Sequence, residues 1–373
     1  MDKTILMRRA EGGDAEACRI IGTMYRAGDG VDRDCSKAIG FLRRAAELGD
    51  VPAASSLGYM YLTGECTDAD PARAEEFLMK AAEAGDTSAM CNLGFLFMNM
   101  RQDRQSAISW FSKAADAGSL KGIRNLASAY SMGGEEDLGK AAEAYARAVD
   151  MGDTDSVAVL ASIYRNGTGV PVDKARAADL YRKAADAGDM EAQYDLAFML
   201  DAGEGIPMDR AEAERYFRMS ADQGDTDACL CIGGILYERG EFKEAEGYFM
   251  SAALKGDVKA QYNLGLMYMD DSLGEPDREK AREWFEYAAG EGFAYAQTML
   301  GGMCLDEGDV KTAERYFRDA AAQGEPTAQY NLGALGISGQ VQMGYDEAVG
   351  LLTKAASSGV EQARDLLMRL TSL

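Results

Sequence analysis

One recurring glycine context constrains what this chain can fold into. A pair of small residues, two variable positions and a glycine, as in "AAELGD" at residues 45–50, returns with its glycine at positions 13, 49, 85, 118, 152, 188, 224, 256, 292, 324 and 359. The shortest step is 32 residues, from 224 to 256, and the longest is 36, as from 13 to 49. A period of that size marks stacked repeats, each too small to bury its apolar face alone. A chain of 373 residues would otherwise divide into two or three globular domains, whereas an unbroken period predicts a single repeat array over residues 1–373.

Counting forward from each glycine defines a first helix, A. A small residue stands four positions on (Ala53, Ala89, Ala260), Leu or Ile eight on (Ile21, Leu57, Leu264), Gly or Ala nine on, and commonly Tyr or Phe twelve on (Tyr25, Tyr61, Tyr268). At about 100° per residue these positions form one stripe of an amphipathic helix. Counting backward from the next glycine defines a second helix, B. Alanine stands eleven before in all ten units, and bulky pairs such as Trp110/Phe111 and Trp284/Phe285 stand eight and seven before. The glycine suits the left-handed position that ends helix B, and the Asp that often follows suits the N-cap of the next helix A. Only the A-to-B connection varies, long in "GTGVPVDKARA" and short in "ERGEFKEAE" and "DEGDVKTAE".

Composition narrows the partners. Against 39 basic residues stand 62 acidic ones, a net charge of −23, which repels nucleic acid and anionic lipid. No apolar run is long enough for a membrane span, and "MDKTILMRRAEGGD" holds only a short apolar run, so neither membrane insertion nor a signal peptide is expected. The seven cysteines do not follow the repeat in pairs, so no disulfide framework is expected and a reducing, cytoplasmic setting fits.

Units such as "AQYNLGLMY" at 260–268, "AQYNLG" at 328–333 and "GTGVPVDKARAADLYRKAADAGD" at 167–189 resemble Sel-1-like repeats. The resemblance implies an all-α, right-handed α-solenoid superhelix of about ten Sel-1-like, tetratricopeptide-like helix-turn-helix repeats. The repeats would span residues 13–359, with an N-terminal cap helix at 1–12 and a C-terminal cap helix at 360–373. It also implies a non-enzymatic scaffold or adaptor for other proteins.

Chemistry-bearing signals are few. The chain has no histidine and no CxxC pair, which removes the commonest general base and familiar metal ligand sets, so no catalytic residue, metal or cofactor is expected. The segment "GEEDLGKA" at 134–141 matches the GxxxxGK spacing, yet Ala141 replaces the required Ser/Thr and no strand precedes it, so it reads as a repeat-connecting loop. Acidic loops at 28–34 and 270–279 lack the spacing of a calcium loop. Cys229 and Cys231 read as ordinary residues of a buried or half-buried face.

Function is therefore sought on the A-helix face opposite the core, at positions 3, 6, 10, 13 and 14 after each glycine. In the family that face lines a concave groove. Here it carries Tyr59, Leu62, Phe95 and Met98 in units two and three, and Tyr194, Phe198, Leu230, Tyr237, Tyr262, Leu266 and Met269 in units six to eight. Tyr295 and Tyr330 lie beyond them. Arg19, Arg26, Arg124 and Arg165 occupy the same face in the N-terminal half. Two readings stand: a groove that takes a partner peptide or helix, or lateral packing between neighbouring A helices. Asn92, Asn125, Asn263 and Asn331, on the rim, are expected to form inter-helix hydrogen bonds. The alternative function is a small-ligand or catalytic repeat protein with a closed local pocket and perturbed carboxylates.

Overall fold

In the computed structural model, which describes residues 3–371, the eleven recurring glycines all occupy the left-handed region, with φ between 82° and 100°. Helix B ends at this point because glycine enters that region without a side-chain clash. In most repeats, though not at α10 or α18, the residue that follows has two roles. Its N–H donates to the carbonyl five residues back, as from Asp50 to Ala45 and from Asp86 to Ala81, both at 3.0 Å. Its side chain accepts the N–H three residues on, from Ala53 at 2.8 Å and Ala89 at 2.6 Å in those two cases. One residue thus closes helix B and caps helix A, and the hinge needs no further length.

All regular structure among the described residues is helical. It falls into two units, residues 1–187 and 188–373. The first opens with α1 (Lys3–Glu11). Five A/B pairs follow: α2 (Ala15–Ala27) with α3 (Cys35–Glu47), α4 (Val51–Thr63) with α5 (Pro71–Glu83), α6 (Thr87–Phe95) with α7 (Arg104–Asp116), α8 (Leu120–Ser131) with α9 (Glu135–Asp150), and α10 (Asp155–Asn166) with α11 (Lys174–Asp186). The second also has five pairs: α12 (Met190–Ala202) with α13 (Arg210–Gln223), α14 (Thr226–Glu238) with α15 (Phe242–Ala253), α16 (Val258–Met269) with α17 (Arg278–Gly290), α18 (Ala294–Asp306) with α19 (Val310–Ala322), and α20 (Pro326–Ile337) with α21 (Tyr345–Ser357). It ends with α22 (Glu361–Thr371). The sequence expectation of ten helix pairs between two end helices is met among the described residues; positions 1–2 and 372–373 of the expected end helices lie outside them.

Each pair packs through the stripe the period defines. The Leu or Ile at position 8 is fully buried at Leu57, Leu93, Leu264 and Leu300, and so is the helix B ring at Phe285 and Phe317. The glycine at position 9 lets that ring approach the helix A backbone: a Cβ placed on Gly301 would lie 2.6 Å from the Phe317 ring. Where the A-to-B loop is long, the helix B cap reaches back to the position-12 carbonyl, as Asp70 does to Tyr61 at 2.8 Å. In the two short units the loop is the glycine–acid hinge used again, at Gly240–Glu241 and Gly308–Asp309, with φ of 77° and 82° at the glycines.

Two expectations are corrected. The "GEEDLGKA" segment is not a loop. Gly134 is the N-cap of α9 and the helix runs from Glu135, with Asp137 paired to Arg104 at 2.6 Å and Lys140 to Glu136 at 2.8 Å. Three acids in the first turn of a helix are favoured by its positive end, whereas a phosphate there would meet like charge. Second, Cys35 and Cys66 form a disulfide with Cα atoms 4.9 Å apart. It joins the start of α3 to the loop after α4, so its partners lie in different repeats and at non-equivalent positions, which hid the pairing from the repeat pattern. The other five cysteines are free, four of them buried.

Two measurements test these assignments. Gly85→Val should lower stability by at least about 1 kcal/mol through backbone strain alone, because its φ is 91° and a Cβ there would meet nothing within 4 Å. Gly301→Ala should cost about 1–3 kcal/mol through overpacking against Phe317. Unchanged denaturant midpoints would refute either cause. In denaturant, unreduced protein should show five reactive thiols and reduced protein seven; seven before reduction would show the Cys35–Cys66 pair open.

Candidate interaction face on the A helices

The helix A cap is the starting point for the site, because a side chain from the preceding A helix also reaches it. At position 6, Arg19 donates to Asp50 at 3.1 Å, Ser55 to Asp86 at 3.1 Å, and Arg124 to Asp153 at 3.4 Å and Asp155 at 2.5 Å. Thr298 does the same to Glu325 at 2.9 Å. At position 13 a second set of bridges forms. Arg26 donates bidentately to Glu65 from Nε and Nη2 along one guanidinium edge, at 2.9 and 2.6 Å, and Tyr237 donates to Asp270 at 3.0 Å. The Arg26 guanidinium holds the Glu65 carboxyl below its ordinary range. Successive A helices touch directly as well, α4 with α6 and α6 with α8, and α20 touches α22.

Position 10 lies between the two sets, and there Tyr59, Phe95 and Phe198 are 39%, 50% and 44% exposed. Tyr295, at position 3, is 53% exposed and its ring sits 5.5 Å from Phe293 and 6.1 Å from Tyr262. Leu62 is a correction to the groove set: it is buried in the core of the first unit. Met98 turns sideways onto Ile108 and Phe111. The cause is a π-helical turn at Leu96–Met100, which is wider than an α-helix and turns by less than 100° per residue. Tyr330 packs on the cluster of α20, α21 and α22, and Tyr262, Leu266 and Met269 lean on that of α17 and α18. Tyr194 lies 5.8 Å from Phe217, and Leu230 is half-buried. The hydroxyl of Tyr194 is pushed up to about 12, by burial first and then by Cys231, Asp227 and Asp225. Arg165 is half-buried in the last turn of α10.

The rim asparagines do not behave as expected. Asn92, Asn125, Asn263 and Asn331 are half-buried and none forms a side-chain hydrogen bond among the described residues. The inter-helix role belongs to position 5, two residues earlier. Gln261 donates to the Ala253 carbonyl at 3.2 Å and Gln329 to Ala321 at 3.5 Å, each reaching the helix B that precedes it.

Two hollows matter on the second unit. One, of about 390 Å³, is lined by residues 291–295 and 323–326 with Val258, mostly hinge backbone. The other, of about 190 Å³, lies between α14, α15 and α16 and includes Gly234, Tyr237 and Leu266. No group of three or more His, Cys, Asp or Glu among the described residues could hold a metal ion. Several capping carboxylates are displaced downward, as at Asp14 by the Ala17 N–H and Asp277 by the Lys280 N–H. That direction keeps acids ionised and suits caps and ion pairs rather than proton donors.

Comparison with known proteins places these features in context. The sequence pattern described as Sel1 repeat matches residues 15–50, 51–86, 87–119, 121–153, 155–189, 191–225, 258–293, 294–325 and 326–360. The short unit at 226–257 lies outside the matched segments. The crystal structure of a protective antigen of uropathogenic Escherichia coli displaying an SLR fold is similar, at 32% identity over 97% of this chain and 81% of that one, with a TM-score of 0.77. A Sel1 repeat protein from Oxalobacter formigenes is similar at 28% identity over 80% of this chain and 89% of that one, with a TM-score of 0.65. Among curated proteins, mouse DAP3-binding cell death enhancer 1 is 29% identical over 35% of this chain. The ERAD-associated E3 ubiquitin-protein ligase component HRD3B of Arabidopsis thaliana is 33% identical over 27%. The chain spans 34% and 17% of those two proteins.

Proposed function

The chain belongs to the Sel1 repeat family, and from that premise we propose that it is a non-enzymatic adaptor whose A-helix face docks an extended or helical segment of a partner protein. Sel1 repeat proteins are generally protein–protein interaction adaptors. Two of the similar proteins carry names of that kind, one binding DAP3 and one a component of a ubiquitin ligase, and a role of the same class is proposed here. No helix among the described residues is long and apolar enough to cross a membrane.

The observation that carries the reading is the exposure of Tyr59, Phe95 and Phe198 at one repeat position while the stripe opposite them is buried. Large rings held outward by a rigid helix give contact area at small entropic cost, the property of interface anchors. The arginines contribute differently from a bare groove cation: Arg19, Arg26 and Arg124 already have carboxylate partners within the chain. They set the spacing of the face, and the rings make the contact.

The test is affinity capture from the native cell followed by calorimetry on the captured partner. Phe198→Ala combined with Leu266→Ala should weaken binding by about 2 kcal/mol or more with helicity retained and a small fall in melting, since Phe198 is 44% exposed and Leu266 is half-buried at the same repeat position. Full-strength binding by the folded double variant would rule out the second unit's face, and the same result for Tyr59→Ala with Phe95→Ala would rule out the first.

A further inference from the structure

We propose that the second unit's A-helix face carries a socket, centred on Gly234, for a long cationic side chain, arginine or lysine, presented by the docked partner segment. This rests on the A-helix docking reading and adds the chemistry of what docks.

The socket arises from a gap in the ridge. At position 10, α12 presents Phe198 and α16 presents Leu266, but α14 between them has Gly234. A Cβ built there would meet nothing within 4 Å. The space left is a half-open notch of about 190 Å³, room for about six waters. Its floor is apolar, made of Phe249 and Met267, which are 3% and 1% exposed. Exposed Glu238 and half-buried Asn263 also line it. Glu238 is exposed and forms no ion pair, and Asn263 forms no hydrogen bond, among the described residues.

That division suits one class of side chain. Arginine and lysine lay an aliphatic stem on an apolar wall and keep the charged head at the rim. A wholly apolar occupant would cover the notch while leaving the Glu238 carboxylate and the Asn263 amide desolvated and unpaired, which is costly. A cation satisfies both, and the Tyr237 ring lining the notch adds a favourable face. The wider surface agrees. At the five outward positions, α12, α14 and α16 carry Glu191, Asp201, Asp227, Glu238 and Asp270 against Lys259 alone. The A helices of the first unit carry Arg19, Arg26, Lys121, Arg124 and Arg165 against Glu16 and Asp155, the opposite balance. The preference for a basic segment therefore belongs to residues 188–373.

The experiment pans a random dodecapeptide phage library against the full chain and measures fluorescein-labelled copies of an enriched peptide by anisotropy. Enriched sequences should carry an arginine or lysine beside a bulky apolar residue. Gly234→Leu, whose Cβ meets nothing within 4 Å and whose side chain occupies the notch, should weaken binding about tenfold or more. E238Q should weaken it about threefold and flatten its salt dependence, and replacing the peptide's basic residue with neutral citrulline should reproduce the loss. Phe198→Ala separates the two claims. If it weakens binding while Gly234→Leu, E238Q and citrulline do not, the face stands and the socket is wrong. If none of them matters, or if no peptide is enriched, both readings fall. Enriched peptides with no basic residue overturn the socket outright. Circular dichroism of each variant verifies the fold, and a lysine-containing peptide that obeys the same pattern supports the socket equally.

Discussion

The architecture depends on the residue that follows the hinge glycine, an acid in eight of the ten repeats. Its N–H terminates one helix, its carboxylate starts the next, and in several repeats a side chain from the preceding A helix takes hold of the same carboxylate, as with Arg19 on Asp50 and Thr298 on Glu325. Three helices are thereby referenced to one group. Because the glycine fixes the backbone on one side and the cap fixes it on the other, the angle between helices is set locally, before any core contact is made. The core then needs only to be filled, and the glycine at position 9 opposite a helix B ring fills it with a simple size exchange.

The outward face is a by-product of that arrangement. Several A helices carry bridges at positions 6 and 13, about one turn along the helix to either side of position 10. Polar residues there would be unremarkable. Rings there keep 39–50% of their surface exposed at Tyr59, Phe95 and Phe198, and this is why they carry more weight than the half-buried tyrosines beside them.

Most of the fold was legible in the sequence because the determinants are short-range and repeated. The hinge, the caps, the buried Leu at position 8 and both end helices could be placed by counting from a glycine. The face was legible only in part. A uniform 100° period placed Leu62 and Met98 outward, but it has no means of registering that α6 packs beside α4 or that α6 ends in a wider turn. The asparagines at position 7 resembled polar glue because they recur, yet the glutamines at position 5 do that work, and the difference of two residues is a difference of about 200° on the helix. The Cys35–Cys66 bond joins non-equivalent points of two repeats, and periodicity has no information about such pairs. Gly234 was visible as a missing ring between Phe198 and Leu266, a signal that a search for what is present passes over.

The hinge and its bridges also bear on how the chain reaches this state. Even the long bonds between repeats join residues close in sequence, 25 apart for Arg239 and Glu214 and 39 apart for Arg26 and Glu65. No contact of this kind requires a loop much longer than one repeat to close, so the entropic toll of each step is small and nearly the same. Any two adjacent helix pairs can act as a nucleus, and growth adds one pair at a time in either direction. Until α1 or α22 covers the last pair, every growing edge presents a stacking face shaped to accept another repeat, from the same chain or from a different one. Assembly during synthesis, with earlier repeats already stacked when later ones emerge, restricts that choice to the correct neighbour.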